Sequence, residues 1–263
     1  MTNTADKPIF EPELWNLTEQ QAQLCTEARE LGQTVFADRA SRYDREAIFP
    51  AENYVDLHKA GLLGVCVPEE HGGRGADLKT YMLMASEIGR YCGATALTFN
   101  MHVSSCLWTG SLADQLEMGE ETRVSHETMR GFHYQRIIKD GAIYAQPFSE
   151  GGDAAAGKKA FGTTAMITDG GWLINGKKIF ASLSGYANYY GALCTEIHSP
   201  DDELSRANTM YIAVPADAEG GFYYVLFTLD EDNEVAESNE INNNTRARRD
   251  VGFGYQYHIE ILN

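Results

Sequence analysis

The hydrophobic period of the sequence changes part-way along, and that change limits the fold to a helical region followed by a separate strand region. Over residues 18–43, Ala22, Cys25, Ala28, Leu31, Val35 and Phe36 recur at three- and four-residue spacing, which is one apolar stripe on a helix. Thr18 and Gln21 are placed to form its capping box. Pro50 opens a shorter helix through Tyr54, Leu57 and Ala60, and Gly61 stands where a helix end favours glycine. The apolar run 64–68 leads into HGGRGAD, whose three glycines permit a tight loop. Further helices are predicted over 78–91, over 94–112 and, more polar, over 114–130. The second of these is apolar on most sides and therefore central.

Past Gly131 the pattern becomes that of short strands. TTAMIT and WLING flank Asp169, Gly170 and Gly171 and read as a hairpin, and Asn175-Gly176 reads as the next turn by the same logic. Residues 189–195 and 209–214 add two strands. The expected class is α+β: an amino-terminal helical domain, then a mostly antiparallel β domain, either barrel or sandwich. The predicted divisions are 1–135 helical, 136–219 β, and 220–263 a β-hairpin tail.

Charge removes one class of function. With 21 Lys and Arg against 38 Asp and Glu, the formal net charge of −17 would repel a phosphate backbone over most of the surface, so no nucleic-acid partner is expected. The cysteines, Cys25, Cys66, Cys92, Cys106 and Cys194, lie far apart without a CxxC pair and read as buried, reduced thiols. No apolar stretch reaches the ~18 residues of a spanning helix, and the opening MTNTADKPIF lacks the character of a signal peptide, so a cytoplasmic location is expected. HETMRGFH holds His126, Glu127 and His133 without the i, i+4 histidine pair of a zinc helix, and no metal is expected there.

Three strings occur in order: PEEHGGRG at 68–75, SEGGD at 149–153 and GWLINGKKIFAS at 171–182. Together they resemble the landmarks of the acyl-CoA dehydrogenase family over residues 61–215. The resemblance implies an FAD-dependent flavoprotein oxidoreductase of fatty acid metabolism that oxidises an acyl-CoA thioester between Cα and Cβ. It also implies an electron-transfer partner and a homo-oligomer. Such chemistry removes a proton from Cα while a hydride leaves Cβ for the flavin, so the ring must lie close against the substrate with its edge hydrogen-bonded.

By resemblance, Ser149 matches the family's hydroxyl on the flavin pyrimidine edge, with Gln146 and Phe148 in the same wall. Ser182 matches the hydroxyl near N5, and Phe180 the aromatic residue stacked on the ring. Gly151 and Gly152 fall where the family's loop nears the cofactor pyrophosphate. In the central helix, Thr98, Asn100 and His102 match the stretch that lines the acyl pocket. From the residues alone, each has a plainer reading: a serine capping a turn, a phenylalanine in a strand core, a polar helix residue satisfied locally.

In the family, the β domain is followed by a four-helix domain that supplies the carboxylate base. The residues after 215 do not resemble it, and no catalytic residue is assigned. From Tyr223 onward the sequence reads as an alternating strand, an acidic turn and a second polar strand, resembling the closing hairpin of CARDB-like modules. Asp230, Asp232 and Glu234 lack the spacing of a calcium loop and read as a solvated turn. The tail is expected to pair with open edges of the β domain. Two readings stand: an acyl-CoA dehydrogenase-like flavoprotein whose catalytic set is incomplete, and a non-catalytic binding or structural protein from a truncated or fused gene.

Overall fold

The first helix begins on the expected reciprocal cap. Thr18 Oγ1 accepts from the Gln21 amide at 3.2 Å, and Gln21 Oε1 accepts from the Thr18 amide at 3.0 Å. The computed structural model describes residues 7–107, 114, 116–150, 158–168 and 171–216, with the backbone of 222–228 and 256–262. The chain divides into two compact units, 1–143 and 144–263.

In the first unit α1 (Glu19–Leu31) runs into a π-helical turn (Gly32–Phe36) and on into α2 (Ala37–Glu46). The stripe predicted over 18–43 is present, with Cys25, Ala28 and Phe36 buried. The π turn widens the helix and rotates the stripe, so Leu31 and Val35 are only half-buried while Gly32 faces inward. A Cβ on Gly32 would lie 2.7 Å from the Tyr91 ring, so this glycine provides close approach.

Helix α3 (Ala51–Lys59) follows Pro50 and ends before Gly61, whose φ is +68°. The run 64–68 and its glycine loop then fold as consecutive turns around a short 3-10 turn, Glu69–His71. Gly73 packs so tightly there that a Cβ would meet the Val67 carbonyl oxygen at 2.0 Å. Helix α4 (Leu78–Gly89) is capped by Asp77, whose carboxylate accepts from the Thr80 amide at 2.8 Å. Helix α5 (Gly93–Leu107), expected to be central, packs on α4 with Phe99 and Val103 fully buried, and it is α4 that lies against both α1 and α5.

Helix α6 (Glu120–Asp140) departs from the sequence reading. The helix does not stop at Gly131. It continues because Tyr134 and Ile137 are buried one turn apart on one face, and it ends at Gly141, φ +69°. Gly131 instead sits against His71, where a Cβ would lie 3.4 Å from the imidazole. A mid-helix glycine costs ~1 kcal/mol, a penalty that packing on both sides of it outweighs.

The second unit is one mixed sheet. Strand β1 (Tyr144–Ala145) and strand β2 (Thr164–Thr168) run parallel to β4 (Tyr189–Ile197) along one of its edges, and β5 (Thr209–Pro215) lies antiparallel along the other. Strand β3 (Gly171–Ile179) pairs antiparallel with β2 as the predicted hairpin, whose turn residues 169–170 lie outside the described residues. Backbone pairing continues from β3 to β7 (Gln256–Leu262) and from β7 to β6 (Phe222–Thr228), both antiparallel. The partner of the first tail strand is thus 256–262, and Asp230, Asp232 and Glu234 lie outside the described residues. A helical unit followed by a mostly antiparallel sheet is the α+β arrangement expected.

Asn175-Gly176 is not a turn; both residues lie inside β3. A Cβ on Gly176 would fall 2.4 Å from Thr163 Oγ1 and 2.5 Å from its Cα, so the glycine lets the segment before β2 cross the strand. All five cysteines are buried and unpaired. Among the described residues no helix is long and apolar enough to cross a membrane.

In the first unit His102 is fully buried, its Nε2 3.0 Å from the Leu63 carbonyl oxygen and its ring stacked on Phe99 at 6.0 Å. Burial, only partly offset by the Leu63 carbonyl, pushes its pKa down from 6.5 to about 4.

Two outcomes follow from this packing. Gly176→Ala lowers stability in urea unfolding by roughly 1–3 kcal/mol, whereas Gly93→Ala, with nothing within 4 Å of its Cβ, gives no comparable loss. Equal midpoints for wild type and Gly176→Ala would contradict the packing. For His102, the unfolded chain binds a proton near 6.5 that the folded chain refuses until about 4. Stability therefore falls as pH drops through that window, by on the order of 3 kcal/mol. Urea unfolding from pH 7 to 4 reads this slope, and His102→Gln removes it; an unchanged slope in the variant rules out His102 as its source.

Candidate functional site

The second unit gathers most of the predicted flavin-wall residues onto two arms. The first arm leaves β1. Gln146 is 3% exposed, its Nε2 donates to Tyr211 Oη at 3.2 Å, and its Oε1 is buried with no partner among the described residues. A buried acceptor left in that state costs ~1–3 kcal/mol unless a donor reaches it. Phe148 is half-buried and meets the Tyr211 ring edge-on at 6.5 Å, over the pair Phe161 and Leu193. Ser149 is half-buried, and its carbonyl accepts from the Ile179 amide at 2.8 Å in an isolated antiparallel bridge. Gly151 and Gly152 lie outside the described residues.

The second arm leaves β3. Ala181 and Leu183 are buried at 6% and 2%, while Phe180 and Ser182 between and before them are exposed. The alternation turns the phenyl ring and the serine hydroxyl outward together. Phe180 is 62% exposed and Phe180 and Leu183 hold φ of +59° and +78°, left-handed values that bulky residues rarely adopt. Such backbone costs on the order of 1–3 kcal/mol per residue and persists only where surroundings enforce it. Here turn bonds enforce it: Ser184 Oγ donates to the Ala181 carbonyl at 2.8 Å, and the amides of Tyr186 and Ala187 donate to the Leu183 carbonyl at 3.0 and 2.9 Å.

Between the arms lie two charged groups that the sequence reading did not single out. Lys178 is fully buried, and its Nζ lies 2.5 Å from Glu150 Oε1. Nζ also donates to the Leu193 carbonyl and sits 4.5 Å from the centroid of the Phe161 ring. Burial alone would raise the Glu150 carboxyl, but hydrogen bonds from Lys178 and Thr163 hold it below its ordinary range. Burial pushes the Lys178 ammonium down, with Glu150 opposing. One signal was in the sequence: Lys178 shares the inward alternation of β3 with Ile174, a register position where a lysine needs a partner. Tyr211 carried no comparable signal.

The predicted acyl-pocket residues lie in the first unit. Thr98 Oγ1 accepts from Tyr54 Oη at 2.8 Å and donates to the Ala94 carbonyl at 2.8 Å. Thr98 and His102 are one turn apart on α5, whereas Asn100, two residues from each, faces elsewhere around the helix. Glu127 takes two bonds from Arg130, at 2.8 and 2.7 Å, and lies 3.5 Å from His71 Nε2. Among the described residues no group of three His, Cys, Asp or Glu could hold a metal ion.

Comparison with known proteins bears on the family and the fold. Residues 18–113 match the family description "Acyl-CoA dehydrogenase, N-terminal domain". The chain is 31% identical over 178 residues to an acryloyl-CoA reductase (NADH) of Anaerotignum propionicum, an alignment covering 66% of this chain and 41% of that protein. It is 27% identical over 176 residues to a short-chain specific acyl-CoA dehydrogenase of Clostridium acetobutylicum, covering 67% and 43%. The chain thus spans about two fifths of the length of these curated relatives. In fold it resembles butyryl-CoA dehydrogenase from Megasphaera elsdenii, with a TM-score of 0.64 at 20% identity over 93% of this chain and 56% of that one. An FMN-bound TdsC from Paenibacillus sp. A11-2 has a TM-score of 0.59 at 20% identity, over 76% and 45%. Residues 18–113 thus match the amino-terminal domain of the acyl-CoA dehydrogenase family, and the similarity to curated members of that family runs on into the middle portion of the chain.

Proposed function

We propose that this chain forms one wall of an FAD site in an acyl-CoA dehydrogenase-type flavoprotein acting on an acyl-CoA thioester. The observation that carries the reading is Phe180. An exposed aromatic ring on left-handed backbone, beside an exposed serine, has no packing reason among the described residues of its own unit. It does suit a flat aromatic ligand.

The residues present fit a flavin. Phe180 offers a ring face for offset stacking, and Ser182 and Ser149 offer hydroxyls at the ends of the two arms. The buried Gln146 Oε1 is an acceptor in need of an N–H donor, which the edge of a flavin ring carries. When bound, the flavin would supply the acceptor for the hydride leaving Cβ of the thioester. In this reading the chain's own residues hold and orient the ring and exclude water from one side of it. None of them is assigned as the base for the Cα proton. For Thr98, Asn100 and His102 the acyl-pocket role stays what the family resemblance implies.

A second reading, a non-catalytic binding or structural protein, draws on the pairing of β7 with β3, which uses the sheet edge for the tail. The two readings part on an electron-acceptor dye assay with acyl-CoA and saturating FAD. A signal that depends on both acyl-CoA and Ser182 eliminates the second reading; its absence with FAD bound favours it.

Titration of the purified chain with FAD, followed by flavin fluorescence, gives saturable quenching. Phe180→Ala weakens it several-fold, in keeping with the ~0.5–1.5 kcal/mol of an aromatic stack. A chain that neither retains nor takes up FAD contradicts the proposal.

A further inference from the structure

The two arms of the proposed flavin wall are far apart in sequence, Ser149 following β1 and Phe180 with Ser182 following β3. Their spacing must be held by something other than chain connectivity. The Ser149–Ile179 bridge gives one backbone hydrogen bond, and a single bond leaves the two segments free to hinge.

The residues next to that bridge remove the hinge. Glu150 follows Ser149 directly, and Lys178 lies two residues before Phe180. Their side chains are 11% and 0% exposed and meet at 2.5 Å. Glu150 also accepts from the Gly162 amide at 2.7 Å and the Thr163 amide at 2.9 Å, so three donors converge on one carboxylate. Lys178 adds the Leu193 carbonyl and the Phe161 ring. One pair of side chains thus ties four segments: the first arm, the end of β3, the stretch before β2, and β4.

A buried ion pair is weak as a stabilising device, because removing both charges from water offsets most of their attraction, and an apolar pair of similar size often serves stability as well or better. Geometric specification is what the charges add, since each needs its partner at a fixed place. We propose that Lys178 and Glu150 are a positioning pair that fixes Ser149 relative to Phe180 and Ser182, and so sets how tightly the flavin ring is gripped. The inference rests on the flavin reading above and deepens it: neither residue touches the ring, and both act through the arms.

The test compares wild type with the double variant Glu150→Gln/Lys178→Met and with Glu150→Asp, in the full chain. The double variant removes both charges at similar volume, and Glu150→Asp keeps the charge but draws the carboxylate back by one methylene. Far-UV circular dichroism and the thermal midpoint report folding. FAD fluorescence quenching reports affinity, and the visible absorbance band of bound flavin reports how the ring is held. The expected result is near-wild-type folding for both variants, FAD affinity lowered by about tenfold, the lower end of what losing an outer-shell partner does to a bound metal, and loss of fine structure in the bound flavin's spectrum.

Folded variants that bind FAD with wild-type affinity and an unchanged spectrum overturn the positioning role. If the double variant fails to fold, Glu150→Asp decides by the same two readouts. If wild type itself takes up no FAD, the flavin reading falls and this inference with it, an outcome distinct from wild type that binds beside variants that bind equally well.

Discussion

A lysine that is fully buried in a β sheet must find its counter-charge and acceptors inside the protein, and the second unit is arranged around meeting that demand for Lys178. Glu150, the Leu193 carbonyl and the Phe161 ring surround its ammonium, and Glu150 in turn draws in the amides of Gly162 and Thr163. Because the partners come from separate segments, satisfying one charge fixes several backbone positions at once. The sheet could not shift its register at β3 without turning Lys178 toward solvent and Lys177 inward.

From that fixed point the site is built outward. The strand leaves Lys178 through Ile179, whose amide bonds the Ser149 carbonyl, and then enters the left-handed backbone of Phe180. Strain at Phe180 and Leu183 is sustained because Ala181 and Leu183 are anchored in the core on either side of the outward-facing Ser182. The other arm begins with a buried amide, Gln146, whose Nε2 is held by Tyr211 and whose Oε1 has no partner among the described residues. Exposed aromatic, exposed hydroxyl and unmet buried acceptor are individually unfavourable or neutral for a free protein, and together they support the proposed ligand site.

How much of this was legible in the sequence follows the range of the forces involved. The Thr18 cap, the Pro50 start and the Gly61 stop are decided by neighbours within a few residues, and all stand as read. Gly176 reads locally as a turn because its close approach to Thr163 is a contact distant in sequence, and Gly131 reads locally as a helix end because the burial of Tyr134 and Ile137 that carries the helix past it is tertiary. The π turn at Gly32–Phe36 carries no local signal either, and its Gly32 lies against Tyr91, a residue distant in sequence. At the site, Phe180, Ser182, Ser149, Phe148 and Gln146 were reached through ordered strings that resemble a family, not through local physics. Glu150 stood inside one of those strings and Lys178 inside another, yet their pairing exists only once β1 and β3 are brought side by side. Tyr211 contributes from β5, and no local pattern ties it to Gln146.

The central claim is that the segments around Ser149 and around Phe180 and Ser182 act as one ligand-holding wall. Hydrogen–deuterium exchange of the full chain, with and without FAD, tests it most directly. The account predicts that FAD slows exchange in 146–150 and 179–187 together. Unchanged exchange in both segments with FAD present would contradict it.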